Sequence, residues 1–310
     1  MSGTAGAEAR SSRAGTPAVV AGKHDAYGVF AIATTPSGDL LASGDDSSVS
    51  VFAMPEVCRS GSFGRKEGGT CWCLMAMPSG DRVLCALSGG TIRMESLVAA
   101  TAAPLHVYRG HSRDAYAVAL VTAATFASAS ADKTVRLWDA DRDEATATLS
   151  GHSLRVLDIA KLDDHVLVSS SSDKTAALWD TRTASRTAAI AIGNAAHRLT
   201  PLRGGVIVAM GLNSGGVALW DLRASRKVSL LRGHLNRVYG VAQLPDGRLA
   251  SSSDDRTVRI WDVAEQRSVG VITAPSLLSR CCVTADGRLA VASWSCKVYV
   301  YDVASATECL

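Results

Sequence analysis

No apolar run in this 310-residue chain approaches the ~18 residues a bilayer-spanning helix needs, so no membrane association is expected. Charge of either sign is not in excess. Thirty-two Lys and Arg stand against 29 Asp and Glu, a net of +3, which argues against a broad field for nucleic acid or lipid headgroups. Aromatic residues are scarce at 5% while apolar residues make up 47%, so a core would be mainly aliphatic and each aromatic position carries weight. The eight cysteines, Cys58, Cys71, Cys73, Cys85, Cys281, Cys282, Cys296 and Cys309, contain no Cys-x-x-Cys pair and no repeating spacing. That removes the usual zinc signatures. Cys71 and Cys73, two apart on a strand, would share one face where two thiolates could hold a metal, but small buried thiols are the plainer reading. With no secretory leader pattern, the expectation is reduced thiols in a cytoplasmic or nuclear protein, with no cofactor and no metal.

What the chain has is repetition. Gly110–Asp139, Gly151–Asp180 and Gly233–Asp262 each open on Gly-His, pass through two apolar stretches, turn at Asp-Lys/Arg-Thr and close on Trp-Asp. The interval from His to Trp is 27 residues in all three, and from His to the turn Asp 21. Four further units follow the same outline less strictly. They close on Phe52, Glu95, Trp220 and Tyr301, so the seven closing residues are spaced 43, 43, 41, 41, 41 and 40 apart. A period of 40–45 residues, with alternation at period two and Asp-Gly, Ser-Gly and Asp-Lys turns, marks a repeated set of short strands.

In chain order, residues 1–16 read as a flexible Ala/Gly/Ser-rich tail. Residues 17–303 hold the repeats, at about 22–53, 67–96, 110–139, 151–180, 193–221, 233–262 and 273–302, and 304–310 form a C-terminal tail. Pro36-Ser37-Gly38-Asp39 and Pro78-Ser79-Gly80-Asp81 are hairpin turns, and the Gly-rich stretch Ser60–Gly69 reads as an exposed connection. A short strand precedes each strong repeat. Ala18–Ala21 looks like the same outer strand placed ahead of any blade of its own, so it is expected to pair beside Val298–Tyr301 and join the ends of the chain.

Gly-His, a Ser-rich strand, Asp-Lys/Arg-Thr and Trp-Asp together resemble the WD-repeat (WD40) family. The resemblance implies an all-β fold, a seven-bladed β-propeller of four-stranded antiparallel blades. It also implies a structural hydrogen-bonded network of His, Ser or Thr, Asp and Trp in each complete repeat. By position this maps to His111, Asp132 and Trp138; to His152, Asp173 and Trp179; and to His234, Asp255 and Trp261. The hydroxyl would come from Ser128 or Ser130, from Ser169–Ser171, and from Ser251–Ser253. His, Asp and Ser also describe a hydrolytic triad, but three copies at one spacing, with no Gly-x-Ser-x-Gly elbow, fit blade architecture better than one active site.

Two tryptophans fall outside the motif. Trp72 stands five residues past the His position, in a column with Phe30, Tyr116, Leu157, Tyr239, Ser279 and either His197 or Arg198. In the family this column opens the innermost strand at the top of the central channel. Trp294 precedes the turn position, beside counterparts such as Asp254, and a third top-face position holds Asp114, Arg155, Arg237 and Leu277. Phe30, Trp72, Tyr116, Arg155, Leu157, Arg237, Tyr239, Asp254 and Trp294 are therefore the candidate binding residues, with no catalytic residue assigned. The expected function is a non-catalytic scaffold that docks a protein or peptide carrying acidic or phosphorylated residues, as a subunit of a larger complex. Other roles in the family are substrate recognition for a ubiquitin ligase and a signalling or ribosome scaffold of the receptor-for-activated-C-kinase type. A metal-dependent propeller enzyme would belong to a different class.

Overall fold

In the computed structural model, residues 19–21, 28–54, 58–63, 69–98 and 103–303 are described. The tails read at 1–16 and 304–310 lie outside them. The described residues form seven four-stranded antiparallel sheets. Their first strands are Val29–Thr34, Cys71–Ala76, Ala115–Leu120, Val156–Asp163, Ala196–Pro201, Val238–Gln243 and Leu278–Val283, which number blades one to seven. Each first strand contacts those of the two neighbouring blades, and the seventh returns to the first, so these strands line the centre of a closed ring. The chain is an all-β, seven-bladed propeller.

The pattern follows from composition. Second strands such as Leu40–Gly44, Leu249–Ser253 and Leu289–Ser293 are buried at every residue. A strand buried on both sides must be sandwiched, so each blade is covered by its neighbours. The core is correspondingly divided into clusters of mainly Val, Leu, Ile and Ala between blades, joined by the motif aromatics. Turn chemistry closes the hairpins. Gly38 takes φ +97° and donates its N–H to the Thr35 carbonyl, a backbone state that other residues adopt only with strain. The Gly-rich stretch read as a connection is in part a strand, because Cys58–Phe63 pairs with Val49–Ala53 as the outer edge of blade one. An outer strand has only one paired side and tolerates Gly and Ser that the interior would not.

The three complete repeats carry one hydrogen-bonded chain each. His111 Nδ1 lies 2.7 Å from Asp132 Oδ2 and its Nε2 2.7 Å from Ser128 Oγ, which also accepts the Trp138 indole N–H at 2.8 Å. His152, Asp173, Ser169 and Trp179 repeat these contacts, as do His234, Asp255, Ser251 and Trp261. The first Ser of each run is thus the network member. Ser130, Ser171 and Ser253 instead donate to the carbonyls of Arg113, Leu154 and Asn236 and accept the N–H of the turn Asp. Thr134, Thr175 and Thr257 complete the turns by donating to the same Asp carboxylates. Blade two replaces this arrangement. Glu95, at the Trp position, is buried against Arg93 at 3.3 Å, and Arg93 donates to the Ser47 carbonyl of blade one.

Val19–Ala21 is the outermost strand of blade seven, with Val19 opposite Val300 and Ala21 opposite Val298. The last blade therefore joins strands from both ends of the described chain. A protein beginning at Pro17 is expected to melt close to the full chain, whereas one beginning at Lys23 should melt several degrees lower because the Val298–Tyr301 edge is left unpaired. Equal melting of the two truncations, followed by circular dichroism, would show that the ring does not depend on this strand.

Trp261 is fully buried, while Trp294 is 43% exposed. Trp261→Ala should cost on the order of 3–5 kcal/mol of stability and leave Ser251 with His234 as its remaining network partner, and Trp294→Ala should cost much less; chemical denaturation of both variants checks the difference.

The network also sets a pH dependence. Burial lowers the His152 and His234 imidazoles below their ordinary 6.5, and their Asp partners offset this only in part. Burial pushes the Asp173 and Asp255 carboxyls up, but the hydrogen bonds they accept, led by those from Thr175 and Thr257, leave both below the usual 3.8. A depressed imidazole stabilises the fold above the unfolded value and loses that contribution as pH falls, since the unfolded chain takes up the proton first; a depressed carboxyl behaves alike at lower pH. Urea midpoints should hold steady above about pH 7, fall first below 6.5 and again below 3.8. A midpoint that does not change between about pH 8 and about pH 5 would remove the imidazole contribution.

Candidate functional site

Every inner strand carries an irregularity at the same place. Pairing with the second strand skips Phe30, Trp72, Tyr116, Leu157, His197 and Tyr239, and in blade seven the skip spans Ser279 and Arg280. Each is a bulge with one extra residue on the inner strand, which frees that residue from the ladder and re-aims its side chain. The consequence is visible at Cys71 and Cys73, which belong to different core clusters. The expectation that these thiols share one face is thereby overturned, since the bulge at Trp72 reverses the alternation between them. Among the described residues no group of three or more His, Cys, Asp or Glu is placed to hold a metal.

The bulged residues converge. Phe30, Trp72, Tyr116, Leu157, His197, Tyr239 and Ser279 line one cavity of about 290 Å³ at the channel mouth, joined by Arg155, Arg237, Arg280 and Trp294. Of the nine residues singled out from the sequence, eight are in this lining. Asp254 is not. Its carboxyl is half-buried, and burial raises it above the usual carboxylate range. The choice between His197 and Arg198 resolves in favour of His197, because the bulge falls there. Arg280 was not anticipated. Its only signal is that it follows Ser279, at a position where blades one, two, three and six have Ala31, Cys73, Ala117 and Gly240.

The mouth is divided in two. Trp294 meets Phe30 edge-on with ring centroids 5.0 Å apart, Phe30 lies 5.5 Å from Trp72, and Trp72 meets Tyr116 edge-on at 5.7 Å. Blades seven, one, two and three thus contribute one continuous aromatic arc. The facing arc, on blades four, five and six, holds Arg155, His197, Arg237 and Tyr239. Here the residues that precede the turn position, in the column of Trp294, act as props. Ser172 accepts the Arg155 Nε–H at 3.0 Å, and Asn213 Oδ1 lies 3.3 Å from His197 Nε2. Arg237 reaches the Tyr239 hydroxyl at 3.4 Å, and the His197 and Tyr239 rings lie 4.9 Å apart. Burial lowers the His197 imidazole, and the cations of Arg237, Arg155 and Arg280 lower it further against its bond to Asn213. The ring is therefore held neutral within a positive field.

Beneath this mouth three charged side chains lie close together. Asp158, fully enclosed, accepts the Leu199 N–H at 2.7 Å and has Arg198 Nη1 at 3.8 Å and Arg280 Nη1 at 3.9 Å from its other oxygen. Arg280 also donates from Nη2 to the Tyr116 carbonyl at 3.1 Å, so a side chain of blade seven reaches blades three and four across the channel. Below it a second cavity of about 470 Å³ is lined mainly by Val118, Leu120, Ile159, Leu199, Val241 and Arg198.

Comparison with known proteins gives the following. Residues 17–52, 102–139, 143–180 and 225–262 match the family described as WD domain, G-beta repeat. The chain is 36% identical over 95 residues to Protein SPA1-RELATED 3 of Arabidopsis thaliana, a match covering 29% of this chain and 11% of that protein. It is 33% identical over 106 residues to Apoptotic protease-activating factor 1 of Danio rerio, covering 31% and 8%. WD repeat-containing protein SL1-17 of Schistosoma mansoni is 30% identical over 169 residues, covering 53% and 56%. The matches thus span about a tenth of the first two relatives and little more than half of the third. The WD40 β-propeller domain of Doa1 superposes with a TM-score of 0.82 at 20% identity, covering 93% of this chain and 96% of that one, and speaks for the fold alone.

Proposed function

The chain is a WD-repeat β-propeller, and from that premise we propose that it is a non-catalytic docking module whose partner, a peptide or loop of another protein, sits on the channel mouth. One observation carries the reading: Phe30, Trp72, Tyr116 and Trp294, four aromatic residues outside the core, form a single arc facing a set of arginines. Rigid rings with little entropy to lose, beside guanidiniums that hold two donors in a plane, are the composition of binding hot spots. A structural role alone would not require Trp294 to remain 43% exposed, nor Leu235, on the same face, 91% exposed.

The ligand suited to such a mouth is an extended segment with an apolar anchor for the aromatic arc and at least one acidic or phosphorylated residue for Arg155 and Arg237. The cytoplasm or nucleus, where thiols stay reduced, is the compartment that its free cysteines suit. A cytoplasmic scaffold of this kind would work as a subunit of a larger assembly.

The test begins with affinity capture of the partner by the full chain and by variants verified by near-ultraviolet circular dichroism. Trp72→Ala and Trp294→Ala should each weaken the isolated complex by about 2 kcal/mol or more. Arg155→Ala should weaken it while flattening its dependence on salt, because one screened charge contact is gone. Affinity unchanged in all three variants would move the interface to the opposite face or to the outer strands.

A further inference from the structure

The rim arginines are held by Ser172 and Tyr239, but the charge that stands without an equal partner lies deeper. Two guanidiniums, Arg198 and Arg280, share the one carboxylate of Asp158, and neither closes to hydrogen-bond distance with it. Arg280 Nη1 and Asp158 Oδ1 are both enclosed and without a hydrogen bond. The Arg280 side chain is only 12% exposed, yet it forms part of the upper cavity lining, so the face it shows is turned toward the mouth. Arg198, 29% exposed, still meets the lower cavity, whereas Arg280 and Asp158 are largely withdrawn from water; the cluster of two cations and one anion carries a net positive charge, and an added anion would offset the desolvation of Arg280.

We infer that Arg280 is an anion subsite at the floor of the mouth, and that it takes a carboxylate of the partner inserted along the channel between the aromatic arc and His197. This rests on the reading of the mouth as the docking site and adds to it the group that enters. A carboxylate matches in three respects. It is planar, as the guanidinium is, so the two can pair through two parallel hydrogen bonds. Its single charge equals the excess of Arg198 and Arg280 over Asp158. It is also small enough to pass the rings, whose faces then pack on the aliphatic or aromatic portion that carries it. The same cavity is lined by Arg155, Arg237, His197 and Tyr239 from the cationic arc and by Trp72, whose enclosed indole N–H has no hydrogen-bond partner. None of them is an acid. Two sources supply such a group, a Glu or Asp side chain and the free C-terminus of a chain, and both present the same chemistry to Arg280.

Small probes test this without a known partner. N-acetyl-phenylalanine presents a ring with a terminal carboxylate, N-acetyl-glutamic acid α-amide presents a side-chain carboxylate, and N-acetyl-phenylalaninamide has the ring without the charge. Each is titrated into the full-length protein at low salt, following the Trp72 indole N–H by nuclear magnetic resonance, its signal assigned with Trp72→Phe. At least one acid should bind about tenfold or more tightly than the amide, as a charge-assisted hydrogen bond in a partly enclosed site provides. The tighter of the two acids identifies the source. Arg280→Met should bring both acids to the level of the amide, with Arg280→Lys retaining part of the preference. Acid and amide binding alike to the wild-type protein would overturn the inference and needs no variant to be folded. So would a preference for acid that survives in Arg280→Met, or phenyl phosphate binding more tightly than either acid and equally to Arg280→Met, since the rim arginines would then hold the anion. If the acids bind through Arg280 but the captured partner is indifferent to Arg280→Met, the subsite stands and the docking of that partner at the mouth is what fails.

Discussion

A four-stranded sheet that is apolar on both faces cannot stand alone in water, and this constraint governs the molecule. Each blade removes one face of each neighbour from solvent, so every blade depends on its neighbours for burial. Hence the aliphatic composition between blades and the fully buried second strands. Hence also the final blade, shared by Val19–Ala21 and Val298–Tyr301. A ring has no terminal repeat to cap, but it must be closed somewhere, and an added edge strand closes it with backbone hydrogen bonds.

Within that frame the blades are unequal. Blades three, four and six hold their incoming loop and turn by the His–Ser–Asp–Trp chain, in which every buried polar group has a partner. Blades one, two, five and seven give up some or all of it, and blade two substitutes a buried ion pair, Arg93 with Glu95, tied across to blade one. The same inequality reappears at the mouth. One bulge repeated in seven blades points seven side chains at the channel, and because the modules differ in sequence the circle they make is chemically lopsided, aromatic on one side and cationic on the other. A uniform scaffold thereby gives a directional surface.

The fold was largely legible because it depends on spacing. The intervals of 27 and 21 residues place His, Asp and Trp in register whatever lies between them. The aromatic column was legible for the same reason, being a fixed step from the His. What escaped depends on local geometry or on reach. The bulge at Trp72 sends Cys71 and Cys73 to opposite faces, where simple alternation puts them together. The identity of the network Ser depends on its place along the strand, since Ser128 stands beneath the indole while Ser130, at the strand end, is taken by the turn. Cys58–Phe63 hides its strand in Gly and Ser because an outer edge demands little of side chains. Arg280 escaped because a guanidinium that spans a channel acts far from its own blade, and no period in the sequence records where a long side chain ends.

Docking of partners at the channel mouth can be tested by hydrogen exchange measured on the chain alone and with its captured partner. Protection should appear at the starts of the inner strands, around residues 29–31, 71–73, 115–117 and 238–240, and in the loop around Trp294, leaving the outer strands unchanged. Protection confined to the outer strands or to the hairpins around Gly38, Gly80 and Gly247 would contradict the account.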